Sequence, residues 1–198
     1  MKKIIGAIVF IAIITPGISF ADTYHFELNA GRSTLQARFD VTRDIERGYI
    51  TAGIGGVYSD NHDDYRIADV KFALGDEILI PGLKCELGFK GLLGEVEKDH
   101  RDGDLMAIGF LLSAAYEIPK IALPIPTEVS ASVCAAPNPV SFLDSERYLE
   151  IGTSLGFHIV KNGAIILGYK YIKVHIDEHH RHWKMSDDVV FVGLRLKY

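Results

Sequence analysis

Apolar and polar residues alternate at a period of two through most of the chain. The alternation is clearest in the last ten residues, VVFVGLRLKY, where the residues at 190, 192, 194, 196 and 198 are all large and apolar. Successive side chains of a β-strand lie on opposite faces, so this spacing predicts a strand with one apolar and one polar face. Outer-membrane barrels commonly finish on such a strand, with an aromatic residue at the membrane interface.

Nine earlier segments show the same alternation, and no stretch longer than a turn or two has helical periodicity. Their apolar positions lie within residues 24–30, 35–41, 50–54, 68–74, 83–89, 108–116, 129–133, 149–157 and 167–171. Asn162-Gly163 between the last two is the strongest hairpin signal. The pattern therefore predicts an all-β chain of about ten antiparallel strands, with eight to twelve allowed.

Alternation alone also fits a soluble sandwich or barrel, since either needs one apolar face. Three features favour a membrane barrel. First, the runs are about nine to eleven residues long, which is the length that a strand needs to cross a bilayer. Second, their polar face is rich in Gly, Ser and Ala, the small residues that a crowded lumen requires. The polar connections SDNHDD, KDHRDGD and HIDEHHRHWKMSDD predict long loops on one side of the membrane. We therefore predict a single antiparallel transmembrane β-barrel over residues 22–198.

The first 21 residues form a separate unit. Lys2 and Lys3 precede an apolar run over residues 4–14, and Ser19-Phe20-Ala21 places small residues at the expected cleavage positions. The run is too short to span a bilayer, so it predicts a cleaved secretory signal peptide over residues 1–21. The expected location is the cell outer membrane.

Charge and cysteine content narrow the picture further. A net charge of −5 argues against a nucleic-acid partner, which would require a basic surface. Cys85 and Cys134 are the only cysteines, and their strand phases place them on opposite faces. We expect both to be free thiols, although an oxidising periplasm would permit a disulfide.

The same phases place thirteen charged residues inside the barrel. Six are acidic and seven basic: Glu27, Asp40, Asp69, Glu86, Glu128 and Glu150 against Arg38, Lys71, Lys84, Lys90, Lys170, Arg195 and Lys197. Charges in a narrow lumen are costly unless they are paired, and ten strands enclose far less space than a porin. We predict a plugged or very narrow lumen, because a selective pore would more naturally carry a ring of one sign.

A histidine-rich segment precedes the last strand. His175, His179, His180 and His182 lie within eight residues, together with Asp177 and Glu178, and are candidate ligands for zinc, copper or nickel. A flexible loop would lose conformational entropy on binding a metal, so a solvated polar loop is the competing interpretation. We expect no cofactor.

The omptin proteases, ten-stranded outer-membrane barrels, offer an enzymatic comparison. They activate water with an Asp pair and an Asp–His pair near the rim. Here Asp102 and Asp104 resemble the first pair, and Asp60–His62 or Asp177–His179 the second. Such spacings are common in polar loops and omptin chains are much longer, so we expect no enzymatic activity.

The opening strand FELNAG, the closing VGLRLKY and the signal peptide together resemble the YfaZ family of predicted outer-membrane proteins. The resemblance covers essentially the whole mature chain. It implies an outer-membrane barrel of uncharacterised function and supplies no catalytic residues. The histidine-rich segment is not a feature associated with that family.

These observations predict a non-enzymatic outer-membrane barrel with a structural, adhesion or narrow-transport role. Its expected partners are outer-membrane lipids and, because of the C-terminal strand, the barrel-assembly machinery; we expect a monomer. One alternative is a soluble periplasmic barrel that binds a small apolar ligand. The other is a rim protease of the omptin type.

Overall fold

The computed structural model describes residues 22–60, 64–98, 101–119, 125–178 and 181–198. The predicted signal peptide, residues 1–21, lies outside the described residues. Within them there are eleven strands: β1 (Asp22–Gly31), β2 (Thr34–Asp44), β3 (Tyr49–Ser59), β4 (Asp64–Glu77), β5 (Leu83–Lys98), β6 (Arg101–Ile118), β7 (Thr127–Ala136), β8 (Ser141–Leu143), β9 (Ser145–Val160), β10 (Gly163–Glu178) and β11 (Arg181–Lys197). In these ranges no helix is both long and apolar enough to span a membrane.

Ten of the strands form a closed antiparallel barrel. Each pairs with its neighbours, and the ring closes where β1 pairs with β11. The three-residue β8 stands outside the count. It pairs with Leu105–Ala107 of β6, in the place that β7 leaves empty when it ends at Ala136. The predicted single barrel of ten strands is confirmed.

The two ends of the barrel differ. We call the end where β1 begins and β11 finishes the terminal rim, and the opposite end the hairpin rim. The two predicted loops KDHRDGD and HIDEHHRHWKMSDD are wrong, because both segments lie mainly in strands: β5 runs to Lys98 and β10 to Glu178. Strands β5, β6, β9, β10 and β11 are 16–18 residues long rather than nine to eleven. Pairing within the β5–β6 and β10–β11 hairpins keeps the backbone hydrogen-bonded through those polar segments.

The outer surface carries the predicted apolar stripe. Leu87, Val70 and Val190 are 67%, 62% and 65% exposed, and equivalent positions on the other strands are similarly apolar. Phe89 and Phe110 lie side by side on this surface, with ring centroids 5.4 Å apart. A closed ring has no unpaired edge, so such a wall is suited to hydrocarbon. The protein is an outer-membrane barrel.

A second apolar surface lies inside the barrel, in the half toward the hairpin rim, and was not predicted. On β10 the outward residues up to Tyr171 are apolar, but Ile172, Val174 and Ile176 point inward and are fully buried. We call this interior set the dry cluster: Tyr65, Ile67, Leu92, Val96, Leu105, Ala107, Leu111, Cys134, Ala136, Tyr148, Ile172, Val174, Ile176, Trp183 and Met185. The strand continues in register while its apolar residues change face.

A smaller interior group of Ile166, Val189 and Phe191 lies on β10 and β11. Gly168 is the register partner of Phe191, and a Cβ at Gly168 would overlap the Phe191 ring. A glycine is therefore required for that ring to lie flat against the wall.

The two cysteines lie on opposite faces of the wall, as predicted. Cys134 is buried in the dry cluster, whereas Cys85 is partly exposed on the outside. Both are free thiols.

Candidate functional site

The barrel interior holds the first candidate site. All thirteen charged residues predicted to face the lumen occupy interior-facing strand positions, as the alternation of burial along each strand shows. Asp187 and Glu117, which were not predicted to face the lumen, also share the interior phase of their strands. The predicted interior placement of the thirteen charged residues is confirmed.

Ion pairs at mid-height connect strands that are not neighbours in the wall. Glu150 of β9 accepts hydrogen bonds from Lys90 of β5 at 2.8 and 3.0 Å, although β6 and β7 separate those strands in the wall. Lys170 lies 3.7 Å from the same carboxylate. Lys90 also lies 3.6 Å from Asp69, which accepts a hydrogen bond from Arg38 at 2.8 Å. We call these five residues the central network.

Separate pairs occupy the lumen nearer the terminal rim. Arg195 donates to Glu27 at 2.8 Å and to Glu128 at 2.6 Å, which ties β11 to β1 and β7. Lys71 donates to Glu86 at 2.8 Å. The predicted pairing of opposite charges across the interior is therefore present in the described residues.

The central network borders directly on the dry cluster. Tyr148, a fully buried member of that cluster, donates a hydrogen bond of 2.6 Å to Glu150. Tyr65, at its opposite edge, donates one of 2.9 Å to Asp187. Lys90 and Asp69 are the least exposed members of the central network, at 4% and 6%, whereas Arg38 at its edge keeps 25% of its side-chain surface exposed.

Buried ions of this kind lose their hydration and are tolerated only with close partners. The network and the dry cluster are two consecutive layers of buried side chains. Tyr148 was missed by sequence reasoning, although its position two residues before Glu150 puts it on the same face of β9.

The histidine-rich segment is mainly strand. His175 lies on the outer face of β10, with Arg147 and Lys184 as its register partners. His179 and His180 lie outside the described residues, and only the backbone of His182 is described. Among the described residues no group of three His, Cys, Asp or Glu side chains is placed to hold a metal. The metal site stays a prediction, and two cationic neighbours beside His175 disfavour it.

The residues compared with the omptin centre are dispersed. Asp102 and Asp104 are exposed on the outer face of β6, with Gly103 between them facing the interior. Asp60 follows the end of β3, while His62 and His179 lie outside the described residues. In the part of the chain that is described, these carboxylates are on the wall exterior rather than in the lumen.

Comparison with known proteins gives one family and several distant structures. A family model described as YfaZ precursor matches residues 1–198. No curated protein matches the chain in sequence.

The solved structures similar to it include three outer-membrane proteins of low sequence identity. Neisserial surface protein A has 11% identity and a TM-score of 0.37, covering 89% of this chain and 94% of its own. The KdgM porin has 8% identity and a TM-score of 0.45, with coverages of 89% and 99%. The NanC porin has 12% identity and a TM-score of 0.40, with coverages of 90% and 100%.

Proposed function

The chain belongs to the YfaZ precursor family, and we propose that it is a closed, non-enzymatic outer-membrane barrel with a structural or adhesion role. The wall would anchor the protein in lipid, and the strands that continue beyond the apolar belt would present polar surface outside the cell. Small solutes would not pass through it.

One observation supports this proposal above the others: two different obstructions lie in series in the lumen. The dry cluster offers no charged groups to a hydrated solute, and its side chains are buried against one another. Directly beneath it, Lys90 and Glu150 join across the barrel. An ion would have to break that pair and then enter a desolvated layer, and each of these steps costs several kcal/mol.

Narrow transport is the second candidate. It is favoured by the terminal-rim half of the lumen, where Arg195, Glu86 and Lys71 keep 23%, 16% and 13% of their side-chain surface exposed. A small polar solute could reach those side chains from the periplasm. Passage would then require the dry cluster to rearrange.

Conductance across a planar bilayer tests the proposal. We expect the purified mature protein to give no steady current under an applied voltage, at protein amounts where a reference porin conducts. A variant with the dry cluster reduced, Ile172→Gly with Ile176→Gly, should give measurable leakage. Large steady currents from the wild-type protein would overturn the proposal. Currents that appear only with a particular solute would favour narrow transport.

We also propose that the barrel is a monomer and that its last strand is read by the barrel-assembly machinery. The outward apolar residues on β11, ending at Tyr198, support the second point. Sedimentation in detergent should give the mass of one chain. Deletion of Tyr198 should reduce the amount of protein inserted into outer membranes, and unchanged insertion would contradict that role.

A further inference from the structure

We propose that the outer wall of β9, β10 and β11 binds a phosphorylated lipid of the outer leaflet. The site would consist of Arg147, Lys173, His175 and Lys184, which we call the basic row. The inference rests on the proposed function only in requiring that the barrel sit in the outer membrane. It does not depend on whether the lumen is closed.

Strand register brings the basic row together. His175 of β10 pairs with Arg147 on one side and with Lys184 on the other. Lys173 lies two residues before His175 and therefore on the same face of the wall. Three neighbouring strands thus present nitrogen cations or imidazole side by side on the barrel exterior.

A bound anion would relieve the repulsion within this arrangement. Arg147 and Lys184 flank the same residue, His175, on either side, so two cations lie near each other on the wall with one imidazole between them. One ion pair beside the row is loose: Glu146 lies 4.0 Å from Arg147, whose side chain remains 65% exposed. Asp188, farther along β11, is engaged by the Tyr169 hydroxyl at 2.8 Å.

The position of the basic row matches the headgroup level of a bilayer. Outward residues along β10 change from Ile165 and Leu167, through Tyr169 and Tyr171, to Lys173. Tyrosine marks the interface in membrane barrels, so the basic row begins one step beyond it, on the side of the hairpin rim. Basic clusters at that depth are the usual recognition element for anionic lipid headgroups.

An apolar groove adjoins the basic row. It has a volume of about 460 Å³, and its wall includes Phe110, Ala135 and Leu149 together with Arg147, Lys173 and His175. The apolar part suits an acyl chain, and the three basic side chains suit a phosphate at its end. A molecule with a charged head and an apolar chain would match both the basic and the apolar part of the groove. We therefore infer a phosphorylated lipid as the occupant, rather than a free anion or a protein.

The test measures lipid binding to the full mature barrel in detergent by native mass spectrometry. The probes are diphosphoryl lipid A, its deacylated sugar diphosphate, and phosphatidylcholine. The test variant is Lys173→Gln with Lys184→Gln. The matched control is Arg47→Gln with Lys161→Gln, which removes two exposed cations at the terminal rim. Heat-dependent gel migration confirms that each variant is folded.

We expect wild-type protein to bind diphosphoryl lipid A at least about tenfold more tightly than phosphatidylcholine. Each removed cation should weaken binding about fivefold, so the test variant should lose about twenty-five-fold. The control variant should stay within about twofold of wild type. The charge-keeping variant Lys173→Arg with Lys184→Arg should bind nearly as wild type does.

A further variant, Ala135→Trp, fills the groove. It should weaken binding of the acylated lipid without changing the response to the sugar diphosphate. Equal losses in the test and control variants would overturn the proposal, as would equal affinity for phosphatidylcholine. Tight binding of the sugar diphosphate alone would show a site for a free anion and would also overturn it. A conducting lumen would contradict the proposed function and leave this result unaffected.

Discussion

Apolar and polar residues alternate along the strands in both halves of this barrel, but the apolar residues face outward in one half and inward in the other. Toward the terminal rim the wall is apolar outside and charged inside, as at Leu87 and Glu86 of β5. Toward the hairpin rim Leu92 and Val96 of the same strand are buried inside, while Glu97 is exposed outside. The first half is built for a membrane, and the second resembles a water-soluble barrel.

The difference shows that a strand can change its surroundings without changing its backbone. Between residues 165 and 175 of β10, the register with β11 and β9 shows no irregularity. What changes is the outward face: it is apolar up to Tyr171 and carries Lys173, His175 and Asp177 beyond it, while the inward residues from Ile172 onward are apolar. The sequence therefore marks the border between membrane and water at the point where the outward residues of the strand stop being apolar.

The largest effect should come from breaking the central network where the halves meet. Glu150→Ala leaves Lys170 and Lys90 without their shared carboxylate, and we expect a loss of about 3–5 kcal/mol in the free energy of unfolding. Glu117→Ala, which breaks the exposed pair with Lys84, should cost about 0–1 kcal/mol. Urea unfolding in lipid vesicles measures both. Adding Lys170→Met to Glu150→Ala should restore part of the loss, and no restoration would mean that buried charge is not the cause.

An isoleucine-to-alanine substitution should cost more stability in the interior than on the lipid-facing surface. Ile172→Ala empties space in the dry cluster and should cost about 2–5 kcal/mol. Ile151→Ala removes the same atoms from the outer wall, where lipid fills the gap, so only the transfer contribution should be lost. The same unfolding measurement compares them. Equal losses would contradict a close-packed cluster in the hairpin-rim half.

Added charge on the outer wall should locate the border of the membrane along β5. Leu87→Lys places an ammonium group in the apolar belt and should cost about 2–4 kcal/mol, whereas lysine near an interface costs about 0–1 kcal/mol. Glu97→Lys, between the register partners Asp64 and Asp102, should therefore fold almost as wild type. Folding yield into vesicles is the readout. A large penalty at Glu97 would place that position inside the bilayer.

The smallest effect should come from Gly168, which lies beside the smaller interior group of Ile166, Val189 and Phe191. Gly168→Ala forces the Phe191 ring to move, and overpacking of this kind costs about 1–3 kcal/mol. Phe191→Leu in the same chain should recover most of the loss. Thermal unfolding followed by gel migration would show both changes. Full stability of Gly168→Ala alone would mean that the ring has room to shift.

The barrel, its strand count and the lumen charges were predictable from local alternation, because each strand position fixes the face of its side chain. Lys90 and Glu150 could be placed inside on that basis. Their mutual pairing could not be derived, since it depends on which strands face each other across the ring. The groove beside Arg147 also depends on register between strands, which no single segment encodes.

The dry cluster was missed for a different reason. The segments around Val174 and Met185, KVHID and HWKMSDD, carry enough charge to suggest loops. A charged segment is taken for a loop when its polar residues are assumed to mean that both faces of the chain are exposed to water. A barrel wall that extends beyond the bilayer needs polar residues only on its outer face. Val174, Trp183 and Met185 occupy the inner face.

The closure between β1 and β11 has a consequence for how this wall comes apart. It is held by seven register pairs, against sixteen between β10 and β11, because β1 stops at Gly31 while β11 continues toward the hairpin rim. Two backbone hydrogen bonds between Tyr24 and Tyr198, at 2.8 and 2.9 Å, fasten its lower end. The seam between β1 and β11 is therefore the line along which the barrel would close last during folding and open first during unfolding.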